Sequence, residues 1–321
     1  MNEIVIKANE AGQRLDRFLR KYLKDMPLGT IYKAIRKKEI TVNGNKSSEK
    51  YLLSEGDIIR FNFEVEAKKE NKKLKFLNID YSIDTAYEDE NLLVVIKGTD
   101  TLVHPDEGED ITLTDMVLAY LYDKGEYNPN KEVTFSPSPC NRLDRNTSGL
   151  VIFAKNYETL KAINEMIRDG NVKKYYTAIV KGKIKDDTYS AYILKDNKTN
   201  KSVISRDYIK NSKKIETKII NIESVGQFSH IDIDLITGRS HQIRAHLSWL
   251  GNPILGDPKY GDKKLNSFFF NKYGLSNQLL IAYKLIFVNC PNSLKYLENK
   301  TITMHYPALF KKIKKDIFKV I

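Results

Sequence analysis

The sequence predicts an α+β protein built on a large mixed, mostly antiparallel sheet with flanking helices. Short apolar runs typical of strands outnumber the segments whose apolar residues have helical spacing. These strands and helices do not alternate regularly, as they would in a doubly wound parallel fold. A charged stretch, poor in apolar periodicity, separates a short N-terminal segment from the rest. We therefore expect a small α/β domain at 1–63, a linker at 64–78 and the main domain at 79–321.

The N-terminal segment begins with two predicted helices. The first starts near Arg14 and carries four apolar residues on one face, namely Leu15, Phe18, Leu19 and Leu23. Pro27 and Gly29 interrupt this pattern, and Thr30 can then cap a second helix. The inward face of the second helix is expected to hold Leu28, Ile31 and Ile35. Its outer face is strongly basic and consists of Lys33, Arg36, Lys37 and Lys38.

A small hairpin is expected after the two helices. Residues 40–42 and 56–61 predict short strands, and Asn43-Gly44 is a turn dipeptide typical of hairpins. Over about 50 residues, the segment resembles the RNA-binding domain first seen in protein four of the small ribosomal subunit. The alternative is an ordinary amphipathic helix pair with a solvated basic face.

The main domain shows strand signals along most of its length. Continuous apolar runs predict buried strands at 92–96 and 150–153. Residues 157–168 have the apolar spacing of a helix. Further strands are predicted at 175–180 and at 229–235, where alternate apolar residues face one way. The pattern therefore favours one mixed domain with a mostly antiparallel sheet.

The balance of charge points to a polyanionic partner. The chain has 53 Lys and Arg against 41 Asp and Glu, so its formal net charge is +12. Binding of so basic a protein to nucleic acid is favoured because counterions are released. The alternative is a lysine-rich composition without such a role. Charge by itself therefore leaves nucleic-acid binding open.

Cysteine usage and hydropathy bear on the compartment. Cys140 and Cys290 show no paired spacing and suggest no disulfide framework, which fits a reduced cytoplasm. The N-terminus has no apolar signal core, and no stretch approaches the ~20 apolar residues of a membrane span. We expect a cytoplasmic protein that is not bound to membranes, and a monomer.

The most informative stretch is residues 141–155, where a polar loop runs into a buried strand. Asp144 lies between Arg142 and Arg145, so its carboxylate should be ionised. A carboxylate at the mouth of a strand suits nucleophilic or base chemistry. A structural ion pair would produce the same local pattern. The stretch alone therefore does not decide between these two roles.

Three motifs in order resolve this ambiguity. Residues 142–155 hold Arg-Leu-Asp, two further residues, Thr-Ser-Gly and later Ala-Lys; residues 174–178 read Lys-Tyr-Tyr-Thr-Ala. Residues 235–261 hold Gly-Arg-Ser-His-Gln-Ile-Arg-Ala-His-Leu, followed by Gly-Asn-Pro-Ile, Gly-Asp and Tyr-Gly. The chain closely resembles the Rlu-type pseudouridine synthases, which act chiefly on large-subunit ribosomal RNA. The resemblance extends over nearly the whole chain, including its N-terminal segment.

The resemblance implies a role for each matching residue. Asp144 is the catalytic carboxylate that allows the base of a flipped-out uridine to detach and reattach through a carbon. Tyr176 stacks on the target base and is a candidate proton acceptor, and Arg244 orients Asp144. Arg142 fills the gap that the base leaves. The resemblance leaves open whether the first step occurs at the anomeric carbon, at the base ring or by elimination across the sugar.

Contacts to RNA are expected from seven residues: Arg142, Arg145, Lys33, Arg36, Lys37, Arg239 and His241. No cofactor is expected, because the isomerisation has no net redox change and no Gly-rich phosphate loop or metal-ligand cluster is evident. His241 and His246 are spaced by five residues and lack a third ligand, which disfavours a metal site. Two alternatives remain, namely a synthase acting on transfer RNA and a non-catalytic RNA-binding or ribosome-assembly factor.

Three local details are further expectations. Asn141 stands where many relatives have His before Arg-Leu-Asp. Trp249 is expected in the core, and the run 268–270 of three phenylalanines is expected to have one exposed member.

Overall fold

The computed structural model describes residues 3–65, 74–105, 110–196, 199 and 201–319. Its N-terminal part holds β1 (Glu3–Val5), α1 (Leu15–Tyr22), α2 (Leu28–Arg36), β2 (Ile40–Val42) and β3 (Ile58–Phe61). The three strands pair antiparallel in the order β1-β3-β2, and both helices bury their apolar faces in a core of their own. The predicted basic face of α2 is exposed.

Helix α2 starts earlier than the sequence predicted. Pro27, not Thr30, is the N-cap residue, and its carbonyl oxygen accepts from the backbone N–H groups of Thr30 and Ile31 at 2.9 and 3.1 Å. Thr30 therefore lies within the first helical turn. The prediction was wrong because Pro27 is in an extended conformation, with φ −57° and ψ 142°, that leads directly into a helix.

The main sheet has eleven strands within the described residues. They are β4 (Asp84–Glu88), β5 (Leu92–Lys97), β6 (Ser138–Pro139), β7 (Ser148–Ala154), β8 (Val172–Lys181), β9 (Asp187–Asp196), β10 (Lys201–Ser205), β11 (Lys213–Val225), β12 (Phe228–Asp234), β13 (Leu280–Phe287) and β14 (Thr301–Thr303). Their order is β10-β9-β11-β12-β8-β13-β7-β5-β4, with β14 beside β13 and β6 beside β7. Among the strand pairs of the described residues, only β13–β7 is parallel.

Helices cover both faces of this sheet. They are α3 (Leu113–Asp123), α4 (Tyr157–Arg168), α5 (Gln242–Trp249), α6 (Lys263–Tyr273) and α7 (Ala308–Phe318). Alternate residues of β7 enter different cores: Val151 and Phe153 pack in one, Leu150 and Ile152 in the other. Strand β7 is continuously apolar because both of its faces are buried. The predicted α+β fold with a mixed, mostly antiparallel sheet is confirmed.

The segment between the two parts is only partly described. Residues 66–73 of the predicted linker lie outside the described ranges. The last part, Lys75–Asn78, is a 3₁₀ helix whose Phe76 is buried in the main core. The N-terminal part also contacts the main part directly, since Asn9 donates to Glu132 at 3.0 Å and accepts from the Tyr157 N–H at 3.2 Å.

Two predictions about aromatic burial were wrong. Trp249 at the end of α5 is 43% exposed, and two of the three phenylalanines on α6, Phe268 and Phe270, are more than half exposed. Phe269 alone of the three is buried, where it packs edge-on against Phe228. None of the helices within the described ranges has the length and apolar character to span a bilayer.

Candidate active site

A cavity of about 270 Å³ opens where the loop before β7, the middle of β8 and the start of α5 meet. Six of the predicted site residues line it: Arg142, Asp144, Tyr176, Arg239, His241 and Arg244. Four do not. Arg145 lies at the surface and pairs with Asp110 at 2.9 Å, while Lys33, Arg36 and Lys37 lie on or directly after α2 in the N-terminal part.

The loop that carries Asp144 is anchored at both ends. Asn141 donates from Nδ2 to the Leu150 carbonyl at 3.2 Å and accepts on Oδ1 from the Ile152 N–H at 2.8 Å. At the other end, Gln278 donates to the Thr147 hydroxyl at 2.9 Å. The Asn141 amide thus supplies both a donor and an acceptor to β7, as a neighbouring strand would. Asn at this position therefore attaches the loop to the sheet.

Gly149 lets β7 approach β13 closely at the edge of the site. Its φ of 143° lies in a region that side chains rarely adopt. A Cβ at this position would come within 2.5 Å of the Ala282 Cβ and carbonyl oxygen. Glycine is required here because the parallel pairing of Ser148 and Gly149 with β13 leaves no room for a side chain.

Arg244 is the buried centre of the site's ion pairs. It donates from Nη1 to Asp144 Oδ2 at 2.8 Å, so the predicted pairing of the two residues is present. It also donates from Nε and Nη2 to the two oxygens of Asp257, at 2.7 and 2.9 Å. Burial lowers the pKa of Arg244, but the hydrogen bonds and charges of Asp257 and Asp144 outweigh it, and the net shift is upward. The guanidinium stays charged and fixed.

Tyr176 presents a buried ring to the same cavity. It lies on β8 between Ile233 of β12 and Ala282 of β13, and it is 6% exposed. Burial, and then the negative charge of Asp144, raise the pKa of its hydroxyl well above the ordinary value. The phenol is therefore protonated at neutral pH, and a proton-acceptor role would require a strong local change in charge.

His241 precedes α5 in a left-handed conformation with φ 56°. Its Nε2 is 4.0 Å from Asp144 Oδ2, and its Nδ1 is 3.0 Å from the Tyr260 hydroxyl. That hydroxyl already accepts from the Ser202 N–H at 2.7 Å. We therefore infer that the Tyr260 hydroxyl donates its proton to Nδ1 of His241. The neutral imidazole then carries its own proton on Nε2, which faces Asp144. Burial lowers the pKa of His241, so the neutral ring predominates at pH 7.

Three residues with clear positions in the site had no role in the predictions. Asp257 and Tyr260 fall in the motif after α5, and Tyr260 also lies 5.4 Å below the Arg244 guanidinium. Lys97 is 1% exposed and donates to the carbonyls of Gly98, Thr101 and Arg145 at 2.7 to 2.9 Å. Burial lowers the pKa of Lys97 to about 8. The signal for the first two was the Gly-Asp and Tyr-Gly pairs of the third motif.

The structure also bears on the expected absence of a metal. Within the described ranges, no three His, Cys, Asp or Glu side chains are grouped so that they could hold a metal ion. His246 is fully buried, and its Nδ1 lies 3.1 Å from the Thr217 hydroxyl. His241 and His246 therefore have separate surroundings.

Comparison with known proteins identifies the family. Residues 91–249 match the family described as RNA pseudouridylate synthase. An uncharacterized RNA pseudouridine synthase of Mycoplasma capricolum subsp. capricolum is 34% identical over 313 residues, covering 94% of this chain and 97% of the relative. The chain belongs to the RNA pseudouridylate synthase family. It is an enzyme that isomerises uridine to pseudouridine in RNA.

The similarity to further relatives covers most of the synthase chain. A protein of Vibrio vulnificus named ribosomal large subunit pseudouridine synthase C is 32% identical, with coverage of 90% of this chain and 91% of the relative. Among solved structures, human RNA pseudouridylate synthase domain containing 4 is similar with a TM-score of 0.58 and 24% identity, covering 73% of this chain and 92% of that one. This structural similarity supports the fold.

Proposed function

We propose that the synthase modifies large-subunit ribosomal RNA and that Asp144 is its catalytic nucleophile. The observation that carries this proposal is the hydrogen bond of 2.8 Å from Arg244 to Asp144 at a cavity that Tyr176 also lines. A carboxylate nucleophile must be ionised and aimed, and a buried guanidinium meets both requirements. The ribosomal substrate is supported by the similarity to the Vibrio vulnificus protein, which is named ribosomal large subunit pseudouridine synthase C.

The reaction is a rearrangement within one nucleotide. The bond from the ribose anomeric carbon to N1 of uracil breaks, and a bond from the same carbon to C5 forms. The proton on C5 is lost and N1 gains one, so no electrons are exchanged with a partner. The uridine must leave the helical stack first, because stacking hides its glycosidic bond.

The proposal gives a part to five of the predicted site residues. Tyr176 offers a ring on which the flipped uracil stacks, which needs no sequence-specific contact. Arg142 is exposed at the cavity mouth, where its side chain can occupy the vacated position in the RNA helix. Arg239 and His241 are proposed to contact RNA beside the target nucleotide. Arg145 is proposed to contact RNA from the surface next to the loop.

The N-terminal part is proposed to be an RNA-binding domain like that of protein four of the small ribosomal subunit. We propose domain limits of 1–63 and 79–321, with 64–78 between them. The separate N-terminal core and the exposed basic face of α2 support this division. Lys33, Arg36 and Lys37 would contact RNA phosphates. We further propose a monomer that acts in the cytoplasm, where ribosomal RNA is modified.

Pseudouridine mapping across all RNAs of a deletion strain tests this proposal. Complementation with the wild-type gene should restore the lost pseudouridines, and all of them should lie in large-subunit ribosomal RNA. Asp144→Asn should restore none, while Asp84→Asn, the same change at an exposed carboxylate on β4, should restore all. Restoration by Asp144→Asn would remove Asp144 from the mechanism. Losses confined to transfer RNA would refute the ribosomal substrate.

A further inference from the structure

A second cavity, of about 300 Å³, lies directly beside the active-site cavity. The two cavities share Arg239 and Ser240, which line both. The floor of the second cavity is formed by strands β9, β10 and β11 at the end of the main sheet. The second cavity therefore lies next to the position proposed for the target uridine.

The strand register brings two lysines to the same face of this floor. Lys213 of β11 lies directly opposite Ile193 of β9, and Ser202 of β10 lies opposite Lys195 of β9. Opposite residues share a face, and so do residues two apart on one strand. Ile193 and Ser202 are buried and form the base, while Lys195 and Lys213 are exposed at its edge.

The lining carries positive charge only. Lys195, Lys213 and Arg239 contribute three cations, and none of the described residues that line the cavity is acidic. Among the described parts of the chain, none of these three side chains makes an ion pair. Neighbouring Lys214 differs, because it points to the other face of the sheet and pairs with Glu216 at 2.9 Å. The three cations are therefore available to an anionic ligand.

Hydrogen bonds hold the cavity in a fixed position relative to Asp144. Ser202 donates from its backbone N–H to the Tyr260 hydroxyl at 2.7 Å and from Oγ to the Ser240 carbonyl at 2.8 Å. The Tyr260 hydroxyl in turn contacts His241, whose Nε2 faces Asp144. Two hydrogen bonds, from Ser202 to Tyr260 and between Tyr260 and His241, thus connect strand β10 to the residue that faces Asp144.

We propose that the second cavity binds a phosphodiester group of the RNA strand immediately beside the target uridine. The inference rests on the proposed RNA substrate. Lysine ammonium groups bind phosphate as point charges, and a guanidinium offers a fork of donors. Because Arg239 and Ser240 border both cavities, a strand with its uridine in the first cavity continues over the second. The site holds the backbone and reads no base.

The test uses a transcript that carries a uridine identified by the pseudouridine mapping. The Lys195→Ala/Lys213→Ala variant is compared with Lys185→Ala/Lys218→Ala, which removes two exposed lysines elsewhere on the main part. Binding is measured over a range of salt concentrations, and phosphate ethylation interference locates the backbone contacts. The first variant should bind about tenfold more weakly than the control at moderate salt, with a salt slope smaller by about one.

The interference pattern separates a local site from general attraction. In the wild type and the control, ethylation of one phosphate beside the target uridine should block binding. In Lys195→Ala/Lys213→Ala this effect should be lost. Equal affinity and equal interference in both double variants would overturn the inference, and so would weaker binding with unchanged interference. If the wild type formed no pseudouridine in any RNA, the proposed function itself would fail.

Discussion

Asp257 holds the guanidinium of Arg244 through two of its nitrogens and leaves the third to Asp144. Nε and Nη2 donate to the two Asp257 oxygens at 2.7 and 2.9 Å, and the Asp257 side chain is fully buried. Asp257 also accepts from the backbone N–H groups of Lys259 and Tyr260. The direction of Nη1, and so of the Asp144 carboxylate, therefore depends on a residue that does not line the cavity.

Asp257→Asn should lower kcat by about tenfold or more and destabilise the fold by about 3 kcal/mol. The change removes one of the two negative partners of a buried cation and frees the guanidinium to turn. Single-turnover kinetics and urea unfolding measure the two effects. Asp262→Asn is a matched control, since Asn caps α6 about as well as Asp and the change removes only a partly exposed ion pair with Lys181, so it should cost about 1 kcal/mol or less with full kcat. Full kcat in Asp257→Asn would contradict the positioning role.

Substitutions at Tyr176 should separate the ring from the hydroxyl. Tyr176→Phe keeps the stacking surface, so RNA affinity should persist while kcat falls by about 10²-fold or more through loss of the proton-transfer group. Tyr176→Leu should in addition weaken RNA binding by about 1–3 kcal/mol. Binding and single-turnover measurements on the same transcript distinguish the two. A fully active Tyr176→Phe would show that the ring alone is required.

The basic face of α2 should contribute to RNA affinity in a salt-dependent way. Replacing Lys33, Arg36 and Lys37 by Ala should weaken binding and reduce the salt slope by about two. The reason is that each phosphate contact releases counterions from the RNA on binding, so a variant with fewer contacts releases fewer of them. The matched control replaces three exposed lysines of α7 instead, namely Lys311, Lys312 and Lys315. If both triple variants bind alike, α2 has no specific role.

His246 should make the fold less stable in mild acid. Burial lowers its pKa from 6.5 to about 4. Between these values the unfolded state binds more protons than the folded state, so stability falls as the pH drops from about 6.5 to about 4. From pH 7 to pH 5 the loss should be about 2 kcal/mol. Urea unfolding at both pH values should show a loss smaller by that amount in His246→Gln. The same loss in both proteins would contradict the assignment.

Local pattern was enough to predict much of the fold. A continuously apolar run such as 150–153 is stable in a strand only if both faces of the strand are buried, and both faces of β7 are buried. The turn at Asn43-Gly44 was predictable because both residues adopt positive φ, 51° and 75°, which this dipeptide tolerates. By contrast, the exposure of Trp249 and Phe268 depends on which elements pack over α5 and α6. Helical spacing contains no information about that.

The sequence by itself determined the family, the order of the motifs and the identity of Asp144 as the outstanding carboxylate, because these reside in contiguous residues. The resemblance also implied that Arg244 pairs with Asp144, but only the tertiary structure decided how Arg244 is held and which other residues lie next to Asp144. Asp257 holds Arg244 and His241 lies next to Asp144, both from the segment around α5, and the strand register places Lys195 and Lys213 on one face of the sheet. A buried charge takes its partners from whatever the chain path brings within hydrogen-bonding distance, and sequence spacing does not specify that path.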